Sequence, residues 1–123
     1  MANVFLDTNI LIDITRGRNN NDLPQALDQY SIYVSPLSVH ILYYSSKTRV
    51  PNAVTRHIID EMKIVDLTKS ILDKSLDGPT VDLEDNIQLH SAVEADCDFF
   101  ITRDQQLLSY GYFGKTKITN TPV

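Results

Sequence analysis

The stretch VFLDTNILID, Val4 to Asp13, decides how the chain is read. Asn3 to Leu6 is a β-branched and aromatic run of strand type. Ile10, Leu11 and Ile14 then recur at helical spacing until Gly17, a residue suited to ending a helix. Asp7 stands at the junction. A carboxylate between a buried strand and a helix is either a cap on that helix or part of a site, and the rest of the chain weighs on the choice.

The same alternation continues to the end of the chain. Arg18 to Asp22 is polar turn material, Pro24 to Tyr30 suggests a short helix, and Ile32 to Val34 reads as a strand closed by Ser35 and Pro36. Leu37 to Lys47 is long enough for a helix. A further helix runs to Glu61 with Pro51 in its first turn, where a missing N–H costs nothing. Ile64 and Val65 form a brief strand, Thr68 caps a helix ending near Gly78 and Pro79, and Leu83 to Asp96 is a helix rich in small residues. Phe99 to Thr102 is the clearest late strand, followed by a helix over Gln105 to Tyr110 and a strand over Lys117 to Thr119. Strands separated by helices predict an α/β fold with a parallel sheet covered on both faces.

With 123 residues, 42% of them hydrophobic, and no linker or repeat, the chain predicts one domain spanning 1–123. No apolar run approaches the roughly 20 residues of a membrane span, and the start of the chain lacks a basic-then-apolar signal pattern, so the expectation is a cytoplasmic protein without membrane contact. Cys97, flanked by Phe99 and Phe100, has no cysteine partner for a disulfide or a metal cluster and reads as a buried spectator. A net charge of −5 argues against a broad basic nucleic-acid footprint.

Asp7 has counterparts. Asp104, in ITRD, also follows a strand and precedes a helix, and Asp85 opens the Leu83 to Asp96 helix. As caps, such aspartates are worth ~0.3–1 kcal/mol each. At the carboxyl ends of parallel strands, however, residues distant in sequence meet in one crevice, and three carboxylates at such places favour a shared site. Two ionised carboxylates ~4 Å apart repel by about 4 kcal/mol at an effective dielectric near 20. The cluster therefore needs a proton or a cation. An all-oxygen carboxylate set suits Mg²⁺ or Mn²⁺, ions normally completed by substrate phosphates, and the chemistry implied is phosphodiester hydrolysis.

FLDTNIL around Asp7, SPLS at Ser35 to Ser38, LEDNIQLHSAVEADCDFFITRD from Leu83 to Asp104 and the late ITNTP together resemble the PIN-domain nucleases, and among them the VapC-like toxins of bacterial toxin–antitoxin systems. The resemblance spans nearly the whole chain. It implies a three-layer α/β/α sandwich around a mostly parallel sheet, a Mg²⁺- or Mn²⁺-dependent ribonuclease acting on single-stranded RNA, a homodimer, and inhibition by a small antitoxin protein. Asp7, Asp85 and Asp104 fall on three of the family's metal-site acids, and Asn9 and Thr102 on its supporting polar positions.

The glutamate that the family usually carries in the helix after the SPLS-like segment falls on Ile41, with His40 beside it. Weak activity is the expected consequence. His40 is one candidate substitute, since imidazole suits Mn²⁺ better than Mg²⁺. Asp82 is another, although its place before an apolar-periodic run fits a helix cap. Arg103, next to Asp104, is a candidate phosphate contact. Two further readings stay open: a degenerate PIN module that binds RNA or a protein partner without cutting, and a metal-dependent phosphatase. For the phosphatase, Asn9 stands where a second aspartate is wanted. His57 and His90 have no serine partner in a G-x-S-x-G elbow, and glycine-rich phosphate loops are absent.

Overall fold

The structure, a computed structural model, describes residues 1–17 and 23–122. β1 (Asn3–Leu6) runs straight into α1 (Thr8–Arg16), which ends at Gly17 with φ at 66°, a left-handed conformation that brings its N–H to the carbonyls of Asp13 and Ile14. Next come α2 (Leu23–Ala26), β2 (Ser31–Val34), α3 (Pro36–Ser46), α4 (Ala53–Asp60) and β3 (Lys63–Ile64). The second half comprises α5 (Lys69–Leu76), α6 (Leu83–Glu94), β4 (Phe99–Ile101), α7 (Gln105–Tyr110), β5 (Tyr112–Phe113) and β6 (Thr116–Thr119). The turn expected over Arg18 to Asp22 lies outside the described residues.

The six strands lie in the order β3-β2-β1-β4-β6-β5, all pairs parallel except β5 with β6. Parallel neighbours need crossover helices, and these cover both faces. Strand periodicity divides the core accordingly. Val4, Leu6 and Ile101 point to one side, where Ile10, Leu11, Leu27 and Leu42 from α1 to α3 meet them. Phe5 and Phe100 point to the other, against Ile71, Ile87, Leu89 and Leu107 from α5 to α7. The Phe5 and Phe100 rings stack there with centroids 5.7 Å apart. The result is the three-layer sandwich that the sequence predicts.

Local differences have local causes. Pro51 precedes its helix instead of opening it: Asn52 is the cap, accepting the Thr55 N–H at 2.9 Å, and α4 begins at Ala53. Pro36 belongs to α3 as its first residue, with Ser35 accepting the Leu37 N–H at 3.1 Å. The helix expected over Pro24 to Tyr30 is cut to Leu23–Ala26. The short antiparallel pairing of β5 with β6 went unread because two residues are too few to show alternation. Gly114, at φ 60°, and Lys115 form its two-residue turn.

One topological feature positions the site. From β1 the chain moves outward to β2 and β3, then returns to the other flank of β1 to add β4 and β6. Connections leaving the carboxyl ends of β1 and β4 therefore diverge to opposite faces and leave a crevice between them. Asp7 follows β1, and Thr102 to Asp104 follow β4.

Candidate active site

Asp7 continues the sheet before the chain turns into α1. Its backbone is extended (φ −58°, ψ 150°) and its N–H donates to the Ile101 carbonyl at 3.0 Å. Although it occupies the N-cap position, its side chain makes no capping bond to α1. The carboxylate, 6% exposed, instead accepts the Thr102 hydroxyl at 2.6 Å. The same hydroxyl accepts the Asp104 N–H at 3.0 Å, so Thr102 joins two of the three acids. Asp104 does cap α7, its Oδ1 accepting the N–H groups of Gln106 and Leu107 at 2.8 and 3.2 Å.

The third acid arrives on α6. Asp82 caps this helix, accepting the Asp85 N–H at 3.0 Å, as its sequence position suggested. Asn86 braces the preceding loop: its amide donates to the carbonyls of Ser75 and Thr80 and its oxygen accepts the Thr80 N–H at 2.8 Å. Asp85, freed from capping, is half-buried beside the other acids. Burial, then the charges of Asp82, Asp7, Asp104 and Glu84, push its carboxyl up to about 7. Asp7 is also raised, by burial and by Asp104, against hydrogen bonding from Thr102, Thr8 and Gln88 that favours its charged form. Capping alone therefore accounts for Asp104 but not for Asp7 or Asp85.

The raised values fix a sign. A folded-state pKa of about 7 against 3.8 for the free group means that the native state holds the Asp85 proton more tightly, so stability falls as pH rises between these values. Asp85→Asn is expected to flatten that fall, leaving the variant with the higher melting temperature at pH 8 but little changed at pH 4. Asp7, shifted in the same direction, keeps part of the slope. Thermal melts of both proteins across this range check the expectation, and equal slopes would contradict it.

The other expected positions divide. Thr102 is fully buried beside Asp7, whereas Asn9 is exposed and its side chain makes no hydrogen bond among the described residues. His40 faces away: exposed on α3, it stacks on Tyr44 and lines a groove with Val39, Tyr43, Val50 and Arg56. Ser38, two residues earlier and on the opposite flank of the helix, faces the site instead, its hydroxyl 2.7 Å from that of Thr8. Arg103 reaches back to α1 and is held by Asp13 at the rim. Sequence reading passed over Ser38, Glu84 and Gln88. Gln88 was readable as a large polar residue between the apolar Ile87 and Leu89, and Glu84 as the neighbour of Asp85 in LED.

Cys97 is buried, and desolvation followed by the charges of Asp98 and Asp96 pushes its thiol up to about 12, as befits an unreactive core residue. Tyr30 and Tyr43 pack against one core and Tyr33 against the other, while Tyr44 is exposed.

Among the described residues, no group of three or more His, Cys, Asp or Glu side chains is placed to hold a metal ion. The donor set nevertheless fits a hard divalent ion. It consists of carboxylate oxygens, with the charges of Asp7 and Asp104 helping to push Asp85 up, and Mg²⁺ usually takes one or two carboxylates with water and substrate oxygens.

A family model described as the PIN domain matches residues 3–106. The chain belongs to the PIN domain family. The matched span includes Asp7, Asp85, Thr102 and Asp104. Solved structures share the PIN fold over nearly their whole length. A toxin–antitoxin complex from Klebsiella pneumoniae aligns at a TM-score of 0.72 and 23% identity, covering 92% of this chain and 94% of that one. DNA-bound VapBC from Salmonella typhimurium aligns at 0.67 and 16% identity over 96% and 97%. VapBC2 from Rickettsia felis, bound to a promoter DNA fragment, aligns at 0.64 and 12% identity over 94% and 96%. No curated protein matches by sequence. No helix among the described residues of this PIN domain is long and apolar enough to cross a membrane.

Proposed function

We propose that this PIN domain is a Mg²⁺- or Mn²⁺-dependent endoribonuclease acting on single-stranded RNA in the cytoplasm, and the toxin of a toxin–antitoxin pair. The observation that carries the chemistry is the Thr102 hydroxyl joining Asp7 to Asp104 at the carboxyl ends of β1 and β4, with the Asp85 carboxyl pushed up in part by the charges of both. The toxin part draws support from the toxin–antitoxin complexes among its structural relatives.

Asp7, Asp85 and Asp104 would hold the ion, which when bound supplies Lewis-acid stabilisation of phosphate charge and a more acidic water. The remaining work belongs to the chain. Thr102 fixes the Asp7 carboxylate through Oδ2 and sets the turn that carries Asp104. Asp85, whose carboxyl is pushed up to about 7, holds a proton below that pH, and a cation would compete with this proton, so cation affinity is expected to rise with pH through that value. Arg103, tethered by Asp13, presents positive charge beside Asp104 where an RNA phosphate would lie.

An antitoxin segment with basic and apolar residues suits the groove floored by Ile14, Leu27, Tyr30 and Ile32 and flanked by Asp28 and Glu61. A homodimer suits the exposed apolar flank of α3 and α4, where Tyr44, Val50 and Val54 are 80%, 79% and 74% exposed. Sedimentation at micromolar concentration is expected to show the dimer. Only monomer across that range removes the dimer and leaves the chemistry untouched.

The second reading, a module that binds RNA or a protein without cutting, is favoured by one observation, Ile41 in place of the α3 glutamate. RNA cleavage with Mn²⁺ and with chelator separates the two: cleavage that chelator stops supports the nuclease, and binding of RNA without cleavage supports the module.

A further inference from the structure

Gln88 is fully buried on α6, three residues after Asp85 and so on the same face one turn along. Burying an amide is costly unless both of its ends are satisfied. Both ends here are satisfied by the elements that carry the acids. Oε1 accepts the Thr8 N–H at 2.9 Å and lies 3.5 Å from the Ser38 hydroxyl, while Nε2 donates to Glu84 at 3.5 Å. Thr8 is the residue after Asp7, and Glu84 the residue before Asp85.

The topology shows why such a link matters. α1 packs in the core on one face of the sheet and α6 in the core on the other. Phe5 of β1 packs with Ile87 and Leu89 of α6, which sets the strand against that helix, but the start of α1 lies beyond this packing, and Gln88 ties it to α6 through the Thr8 N–H. We infer that Gln88 is a positioning residue, whose buried amide holds the Asp7 end of α1 in register with the first turn of α6 so that the carboxylates open into one crevice. The inference rests on the metal-site reading proposed above.

Two variants break the link from opposite sides. Gln88→Met keeps length and volume but removes the amide. Thr8→Pro deletes the N–H that Gln88 accepts, at a first helical position where proline is tolerated and after a residue whose extended backbone suits a following proline. Thr8→Val, which keeps the N–H and loses only the hydroxyl, is the control. Mn²⁺ titration calorimetry and thermal melts are the readouts.

Gln88→Met and Thr8→Pro are expected to bind Mn²⁺ about 10- to 100-fold more weakly than wild type, the usual scale for groups that orient metal ligands, and Thr8→Val, which keeps the N–H, to lose less than Thr8→Pro. The double variant is expected to lose less than the sum of the two single losses, because both remove the Thr8–Gln88 bond. Unchanged Mn²⁺ affinity in both variants, whatever their melting temperatures, overturns the inference while the metal site stands. Additive losses overturn it as well. Wild type that binds no Mn²⁺ brings down the metal-site reading and the positioning role with it.

Discussion

Asp7→Asn is expected to cut metal-dependent RNA cleavage by about 10²–10³-fold or more, the scale for removing a group that organises charge in the transition state. It is also expected to leave the fold as stable as before or more stable at neutral pH. The second half of this outcome makes the prediction specific. Asp7 is buried, its carboxyl is raised by that burial and by Asp104, and its ionised form therefore costs free energy. Asparagine has nearly the same shape, keeps an oxygen to accept the Thr102 hydroxyl, and ends the repulsion with Asp85 and Asp104. A residue kept only for stability behaves in the opposite way. Thermal melts and cleavage rates measured together decide the matter: lost activity with lost stability would make Asp7 a structural residue.

Ile41→Glu is expected to gain function. Ile41 lies three residues after Ser38, on the flank of α3 that faces Thr8 and Gln88, and it is half-buried without belonging to either core. A glutamate there adds a carboxylate on the flank of α3 that faces Thr8, the residue after Asp7. The Mg²⁺-dependent rate is expected to rise about tenfold, and the Mn²⁺-dependent rate less, because Mg²⁺ is stricter about oxygen ligands and octahedral geometry. Since the position lies outside both cores, the penalty stays below the several kcal/mol of a charge placed in the interior. No increase in Mg²⁺ affinity or rate, with a large fall in melting temperature, would show that the side chain packs instead of facing the crevice.

The parts of this architecture that were legible in the sequence are those written in local periodicity. Asn3 to Leu6 followed by helical spacing from Ile10 gave the first β–α unit, and the repeated alternation gave a parallel sheet covered on both faces. Asp7 and Asp104 were legible because each stands at a strand-to-helix junction, and Asp82 because it precedes an apolar-periodic run. The relations across faces were not legible. Nothing local in the sequence says that Gln88 accepts the Thr8 N–H across 80 residues of chain, or that Ser38 and not His40 faces the site. The second depends on the phase of α3, which Leu42 and the first core set, and the residues of this helix are apolar nearly all round. β5 escaped for a different reason, since a two-residue strand carries almost no pattern.

The central claim is that Asp7, Asp85 and Asp104 form one divalent-cation site that cuts RNA. It is tested most directly by incubating single-stranded RNA with the wild-type protein and with Asp7→Asn, in Mn²⁺ and in chelator, and following the products over time. The account predicts cleavage by wild type in Mn²⁺ that chelator stops and Asp7→Asn lacks. Cleavage by Asp7→Asn at the wild-type rate, or by wild type in the presence of chelator, would contradict it.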